Sequence, residues 1–147
     1  MISMDSRTKA FAFPVTSNFS ASIVTVHPSG MREIHWRPTS DEWTFFIKKQ
    51  GRATLFTAPD AATTFDYMAG DVGYFPQSNS HYVENTGDED LMFLEVLHAP
   101  QFTGMTLGQW IASTPRQFVT HTLNLDDGTL SQVKTEKQCV VAGSTSD

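Results

Sequence analysis

The stretch Gly30-Met31-Arg32-Glu33-Ile34-His35-Trp36-Arg37-Pro38-Thr39-Ser40-Asp41-Glu42-Trp43 reads as a strand, a proline-containing turn and the start of a second strand. Side chains alternate across a strand, so His35 and Arg37 point to one face. Glu42 opens the next strand and can fold back beside them. A second stretch, Gly70-Asp71-Val72-Gly73-Tyr74-Phe75-Pro76-Gln77-Ser78-Asn79-Ser80-His81-Tyr82-Val83-Glu84-Asn85, brings His81 from a later strand. In a closed barrel that strand can face the first two across the interior. Imidazole and carboxylate converging from different strands make a site for Mn, Fe or Zn. Each residue alone also has an ordinary reading: a hydrogen-bonded histidine on a strand, a turn carboxylate, a proline at a strand edge.

Outward from these segments the pattern continues. Strand-like runs are expected at Phe19–Val26, Met31–Arg37, Trp43–Lys48, Arg52–Thr57, Thr63–Met68, Gly73–Phe75, His81–Asn85 and Leu91–Leu97. Turn residues punctuate them: Pro28-Ser29-Gly30, Gln50-Gly51, Ala69-Gly70-Asp71 and Thr86-Gly87-Asp88. Many short runs at this spacing, rich in β-branched and aromatic residues, predict an all-β sandwich or barrel. After Pro100 the character changes. Thr106 can cap a helix that buries Leu107, Trp110 and Ile111. A second helix start is expected with Thr114 as N-cap, Pro115 at the first helical position and Gln117 completing a capping box, followed by a stripe of Phe118, Val119 and Leu123. The expected organisation is an arm (residues 1–17), a barrel (18–99), a helical C-terminal extension (100–141) and a polar tail (142–147).

Composition narrows the class. With 147 residues, 39% hydrophobic and 18% charged, the chain fits one globular domain with one core. The formal net charge is −6 and no basic run of five or more occurs, which gives nucleic acid no electrostatic footprint. Cys139 is the only cysteine, so an intrachain disulfide and a thiolate–zinc cluster are both excluded. No 18-residue apolar run and no signal-peptide pattern occur, so neither a membrane nor secretion is expected, and a cytoplasmic protein is the default.

The two quoted segments resemble the two motifs of the cupin superfamily: a Gly, a His-x-His pair, a Glu and a Gly, then later a Gly, a Pro, a His and an Asn. The closer likeness is to oxalate decarboxylases and related bicupins, particularly their C-terminal cupin domain. It is carried by Met31-Arg32-Glu33-Ile34-His35-Trp36, Asp41-Glu42-Trp43, Gly70-Asp71-Val72-Gly73-Tyr74-Phe75-Pro76, Glu84-Asn85-Thr86-Gly87-Asp88-Glu89 and Leu107-Gly108-Gln109-Trp110-Ile111-Ala112-Ser113-Thr114-Pro115. It runs from about Phe19 to Asn124.

The resemblance implies a single-domain cupin, a double-stranded β-helix or jelly-roll barrel. It also implies a metal held by three His and one Glu, of which His35, Glu42 and His81 match. Arg37 stands at the second His of the pair, and a guanidinium has no lone pair for a metal. Two His and one Glu still suffice for a facial triad, with Mn or Fe ahead of Zn. A metal-free pocket in which Glu42 pairs with Arg37 is the alternative. Arg32 looks like the family's substrate-contacting arginine, although strict alternation sets it opposite His35 unless a bulge intervenes. Glu95, on one face with Phe93 and Leu97, looks like the family's non-ligand glutamate, a proton donor or acceptor. The catalytic set is thus Glu95, Arg37 and Arg32.

There are departures. The family enzymes carry two cupin domains, the acidic lid segment has no counterpart in residues 98–105, and Ser78 stands where the motif has Gly. The expected function is a small-molecule enzyme acting on a carboxylate or enolisable carbonyl compound by decarboxylase, isomerase or cyclase chemistry. The rival is a non-catalytic or metal-free ligand-binding cupin. The resemblance also implies a homodimer.

Overall fold

A computed structural model describes residues 18–142. The expected arm and residues 143–147 of the expected tail lie outside the described residues. Eight strands form the body: β1 (Ser20–Val26), β2 (Met31–Trp36), β3 (Glu42–Lys48), β4 (Gly51–Thr57), β5 (Ala61–Tyr67), β6 (Val72–Phe75), β7 (His81–Asn85) and β8 (Leu91–Leu97). Each lies within two residues of its expected start and end, because period-two alternation and the turn residues mark both.

The strands form two antiparallel sheets. One has the order β1-β8-β3-β6; the other runs β2-β7-β4-β5. Sequence neighbours fall in opposite sheets for most of the chain, which is the jelly-roll arrangement. Alternation fixes what faces inward. On β8, Leu91, Phe93, Glu95 and Leu97 are buried; on β3, Glu42, Thr44 and Phe46 are. Val24, Val26, Phe46, Leu55, Phe75, Val83, Leu91 and Phe93 fill one half of the space between the sheets. Each fully buried large side chain contributes roughly 1.5–3 kcal/mol. The charged residues fill the other half.

Two motif residues serve this frame. Gly51 opens β4 where an added Cβ would meet Leu91 Cδ2 at 2.6 Å and the Glu84 carbonyl at 3.0 Å, so the strands approach only because it has no side chain. Asn85 donates from Nδ2 to the carbonyls of Val26 and Glu89, 2.8 Å each, and accepts from the Gly87 amide at 2.9 Å. It therefore closes the β7–β8 turn and ties it to β1.

The C-terminal region is more than helical. It supplies β9 (Met105–Thr106) and β10 (Val140–Val141), both paired with β2, as well as α1 (Leu107–Ser113), α2 (Arg116–Leu123) and α3 (Asp127–Ser131). Thr106 caps α1 as expected, with Gln109 completing the capping box. Leu107, however, is exposed and Trp110 and Ile111 are only half-buried, since α1 packs against β9 and β2 and buries none of its residues fully. The second expected cap is corrected. Thr114 closes α1, its hydroxyl donating to the Trp110 carbonyl at 2.7 Å, and Pro115 precedes α2 with no side-chain cap. The expected stripe reduces to Val119, with Phe118 and Leu123 exposed. Among the described residues no helix is long and apolar enough to cross a membrane.

Candidate metal centre

His35 and His81 sit opposite each other on β2 and β7, with ring centroids 4.3 Å apart. Glu42 reaches in from β3 in the facing sheet. One donor atom from each of the three lies within 4.8 Å of the others, and all three residues are buried. Phe75 stacks on the His81 ring at 4.1 Å and holds its plane.

The tautomers follow from the backbone. His35 Nδ1 is 2.7 Å from the Glu33 carbonyl, and His81 Nδ1 is 3.2 Å from that of Asn79. A carbonyl only accepts, so each Nδ1 carries a hydrogen and donates it. Each Nε2 is then left as a lone pair directed at Glu42: His35 Nε2 is 3.5 Å from Oε2, and His81 Nε2 is 3.3 Å from Oε1. His35 Nε2 has no hydrogen-bond partner at all. Burial, then the Arg32 guanidinium, hold the His35 pKa at about 3, so its ring is neutral. Burial alone would raise the Glu42 carboxyl; the Arg37 guanidinium, 2.6 Å away, works against it and holds Glu42 well below the usual carboxylate range. Two imidazole lone pairs and an anionic oxygen thus face one another. A cation or a proton between them relieves the arrangement, and a divalent metal fits this donor set.

The remaining expected residues complete a buried ion network. Arg37 Nε donates to Glu42 Oε2 at 2.6 Å and Nη2 to Glu95 Oε2 at 2.9 Å; Arg32 Nε donates to Glu95 Oε1 at 3.1 Å. Arg32 reaches this interior because β2 bulges. Arg32 pairs with Val83 and His35 with His81, so three steps on β2 match two on β7 and both side chains turn inward. Burial, then the charge of Glu42, push the Glu95 carboxyl up, and the two guanidiniums pull against them.

Sequence reasoning missed the partners that are backbone or distant. Arg32 Nη1 donates to the Cys139 carbonyl at 2.7 Å, beside β10. Arg37 Nη1 donates to the Thr103 carbonyl at 3.1 Å, and Phe102 lies against its guanidinium, 4.4 Å to the ring centroid. A carbonyl has no residue signature. Phe102, a lone aromatic in a turn-rich loop, was the one available signal.

Comparison with known proteins gives a consistent picture. A protein-family model described as Cupin matches residues 7–130. "Oxalate decarboxylase OxdC" of Bacillus subtilis (strain 168) is 42% identical over 129 residues, which cover 88% of this chain and 34% of that protein. A "Probable oxalate decarboxylase" of Arthroderma benhamiae is 40% identical over 131 residues, 88% of this chain and 32% of its own. A solved structure of Bacillus subtilis oxalate decarboxylase, from work on its Mn(II) centers, matches with a TM-score of 0.86 and 41% identity, covering 90% of this chain and 35% of that one. The chain therefore spans about a third of the length of the curated relatives it matches.

Proposed function

Because this chain belongs to the cupin family, we propose that it is a metal-dependent enzyme acting on a small carboxylate or enolisable carbonyl compound, with decarboxylation as its leading chemistry. The observation that carries this reading is the orphaned His35 Nε2, aimed with His81 Nε2 at the Glu42 carboxylate. His35, Glu42 and His81 would hold the ion, Mn or Fe ahead of Zn. When bound, it supplies a Lewis acid for a substrate oxygen and, for Mn or Fe, access to one-electron chemistry.

The chain's own residues do the rest. Arg37 uses three of its five N–H donors on Glu42, Glu95 and Thr103, leaving two for a substrate carboxylate. A carboxylate that draws Nη2 toward itself frees Glu95 Oε2. Once Nη2 has left it, Glu95 Oε2, whose neutral form burial favours, takes up a proton brought in with the substrate; when the carbon–carbon bond breaks and carbon dioxide leaves, Glu95 passes that proton to the remaining carbon. Arg32 keeps hold of Oε1 and so fixes the carboxyl during that exchange.

A second reading has an observation of its own. The 2.6 Å pair between Arg37 and Glu42 engages the only carboxylate among the three donor residues, as a metal-free ligand-binding cupin would have it. Carbon dioxide release from a panel of dicarboxylates and 2-oxo acids, by chelator-treated and by Mn-reloaded protein, separates the two. Turnover lost on chelation and regained with one metal is the expected result. Full turnover after chelation removes the metal, and tight ligand binding without turnover in either state leaves the binding protein.

The homodimer is proposed through the outer face of the β1-β8-β3-β6 sheet. There Ile23, Leu94, Phe45 and Val72 form one cross-strand row, and Ala21, Val96, Trp43 and Tyr74 the next. Trp43, Phe45, Ile23, Val72 and Tyr74 are exposed, an apolar patch suited to a second copy. Light scattering should give twice the chain mass, and Trp43→Glu should halve it. A monomer at all concentrations would remove the dimer.

A further inference from the structure

Four fully charged side chains are buried around the three donor atoms: Arg32 and Arg37 at 2% exposure each, Glu42 at 1% and Glu95 at 0%. Their ion pairs run Arg32–Glu95 at 3.1 Å, Arg37–Glu95 at 2.9 Å and Arg37–Glu42 at 2.6 Å. Two cations and two anions sum to zero. The imidazoles of His35 and His81 add lone pairs and no compensating negative charge.

The site is therefore electrically complete before any metal arrives. Its single ligating carboxylate already balances a guanidinium. Among the described residues the surroundings offer no spare anion either. Glu33, the nearest other carboxylate along β2, accepts from the Gly108 amide at 2.7 Å, and the Lys137 ammonium, donating to the Gly104 carbonyl at 3.0 Å, adds positive charge at the rim. Arg37 is not free to leave. Phe102 and the Thr103 carbonyl hold it from one side, and Gly104 packs so closely that an added methyl would overlap Nη1. A divalent cation placed on His35, Glu42 and His81 leaves two uncompensated positive charges in a space closed to water. The penalty for burying unbalanced charge is several kcal/mol per ion, comparable with much of what three ligands provide.

We propose, on the reading above that these three residues hold a divalent metal, that the metal and a small carboxylate anion enter this site as a pair. A monocarboxylate supplies one of the two negative charges that the chain lacks, and Arg37 has donors left to receive it. Metal binding is weak without the anion and tight with it. By linkage, anion binding is strengthened by the metal to the same degree.

The test is titration of chelator-stripped protein with Mn(II) in a bulky sulfonate buffer, with and without formate. Free Mn(II) is followed by its electron paramagnetic resonance signal. Formate should tighten the Mn(II) dissociation constant by about tenfold or more. Arg37→Gln, which removes one buried positive charge, should tighten Mn(II) binding in the absence of formate and reduce the formate effect to a few-fold. Arg32→Gln removes the same charge one contact further away and should act in the same direction, which keeps the test open if the first variant does not fold. Mn(II) bound equally tightly with and without formate would overturn the inference and leave the metal reading standing. So would a formate effect of full size in both variants, since the anion would then be only another ligand. No Mn(II) binding in any condition would remove the metal reading itself, and this inference with it.

Discussion

Replacing Glu95 with Gln deletes one negative charge from the centre of the buried network. Arg32 Nε, 3.1 Å from Oε1, and Arg37 Nη2, 2.9 Å from Oε2, lose their shared anion, and the four-charge cluster moves from zero to one net positive. Glu95 is fully buried and both guanidiniums nearly so, so water cannot take its place. Breaking a buried pair by removing one partner costs about 3–5 kcal/mol. The Gln carbonyl can still accept one of the two hydrogen bonds, which sets the expectation at the lower end, about 3 kcal/mol. For a chain of this size that lowers Tm by about 6–12 °C. For an isolated carboxylate on an apolar face Gln would be neutral or slightly stabilising; the ion network reverses that sign. Urea unfolding of metal-free protein gives the free energy. A double variant with Arg32→Met removes the stranded cation and should recover a measurable part of the loss. A Glu95→Gln protein within about 0.5 kcal/mol of the parent, the range of an ordinary surface substitution, would refute the reasoning that these charges hold one another.

Three further outcomes are expected. Ser78 has φ of 65°, the left-handed region that costs a non-glycine residue roughly 1–2 kcal/mol, while glycine's greater freedom in the unfolded chain returns roughly 0.4–1 kcal/mol. Ser78→Gly should therefore stabilise by about 0.5–1 kcal/mol in urea unfolding, and a loss of stability would contradict the strain argument. Gly104→Ala presses a methyl onto Arg37 Nη1 and should cost about 1–3 kcal/mol; an unchanged midpoint would mean that Arg37 is not held where we place it. The pH dependence of the metal-free protein follows from His35. Its folded pKa of about 3 lies below the unfolded 6.5, so below pH 6.5 the unfolded chain binds a proton that the folded one refuses, and stability falls from there down to about pH 3. Glu42, held low, adds to the loss below its unfolded value of 4.5, while Glu95, held up, opposes it. The urea midpoint should drop between pH 7 and 4.5, and His35→Gln should flatten the slope; a flat midpoint in the parent would sink the claim that this ring is held neutral.

How much of this was legible in the sequence varies by the kind of interaction. The strands were, because alternation along Leu91–Leu97 or Glu42–Lys48 writes burial directly into residue type. The convergence of His35, Glu42 and His81 was legible through the resemblance to the cupin motifs, since each of the three residues alone has an ordinary reading. The bulge at Arg32 was legible only as a condition, since nothing in Met31–Trp36 says where an extra residue is accommodated. The caps show the limit of local rules. Thr106 and Thr114 each precede a helix-like run, yet the Thr114 hydroxyl faces back to Trp110 because α1 ends there. Partners such as the Cys139 carbonyl, 107 residues from Arg32, were beyond reach: any residue presents the same group, and only the pairing of β10 with β2 brings it there.

The central claim is that His35, Glu42 and His81 form a metal centre, and elemental analysis of the protein tests it most directly. Chelator-stripped protein is incubated with Mn(II) and formate, passed through a desalting column and assayed for bound metal, alongside His81→Gln checked for an unchanged circular dichroism spectrum. The parent should carry one metal per chain and His81→Gln almost none. Parent and variant carrying the same amount of metal, or a parent that retains none, would contradict it.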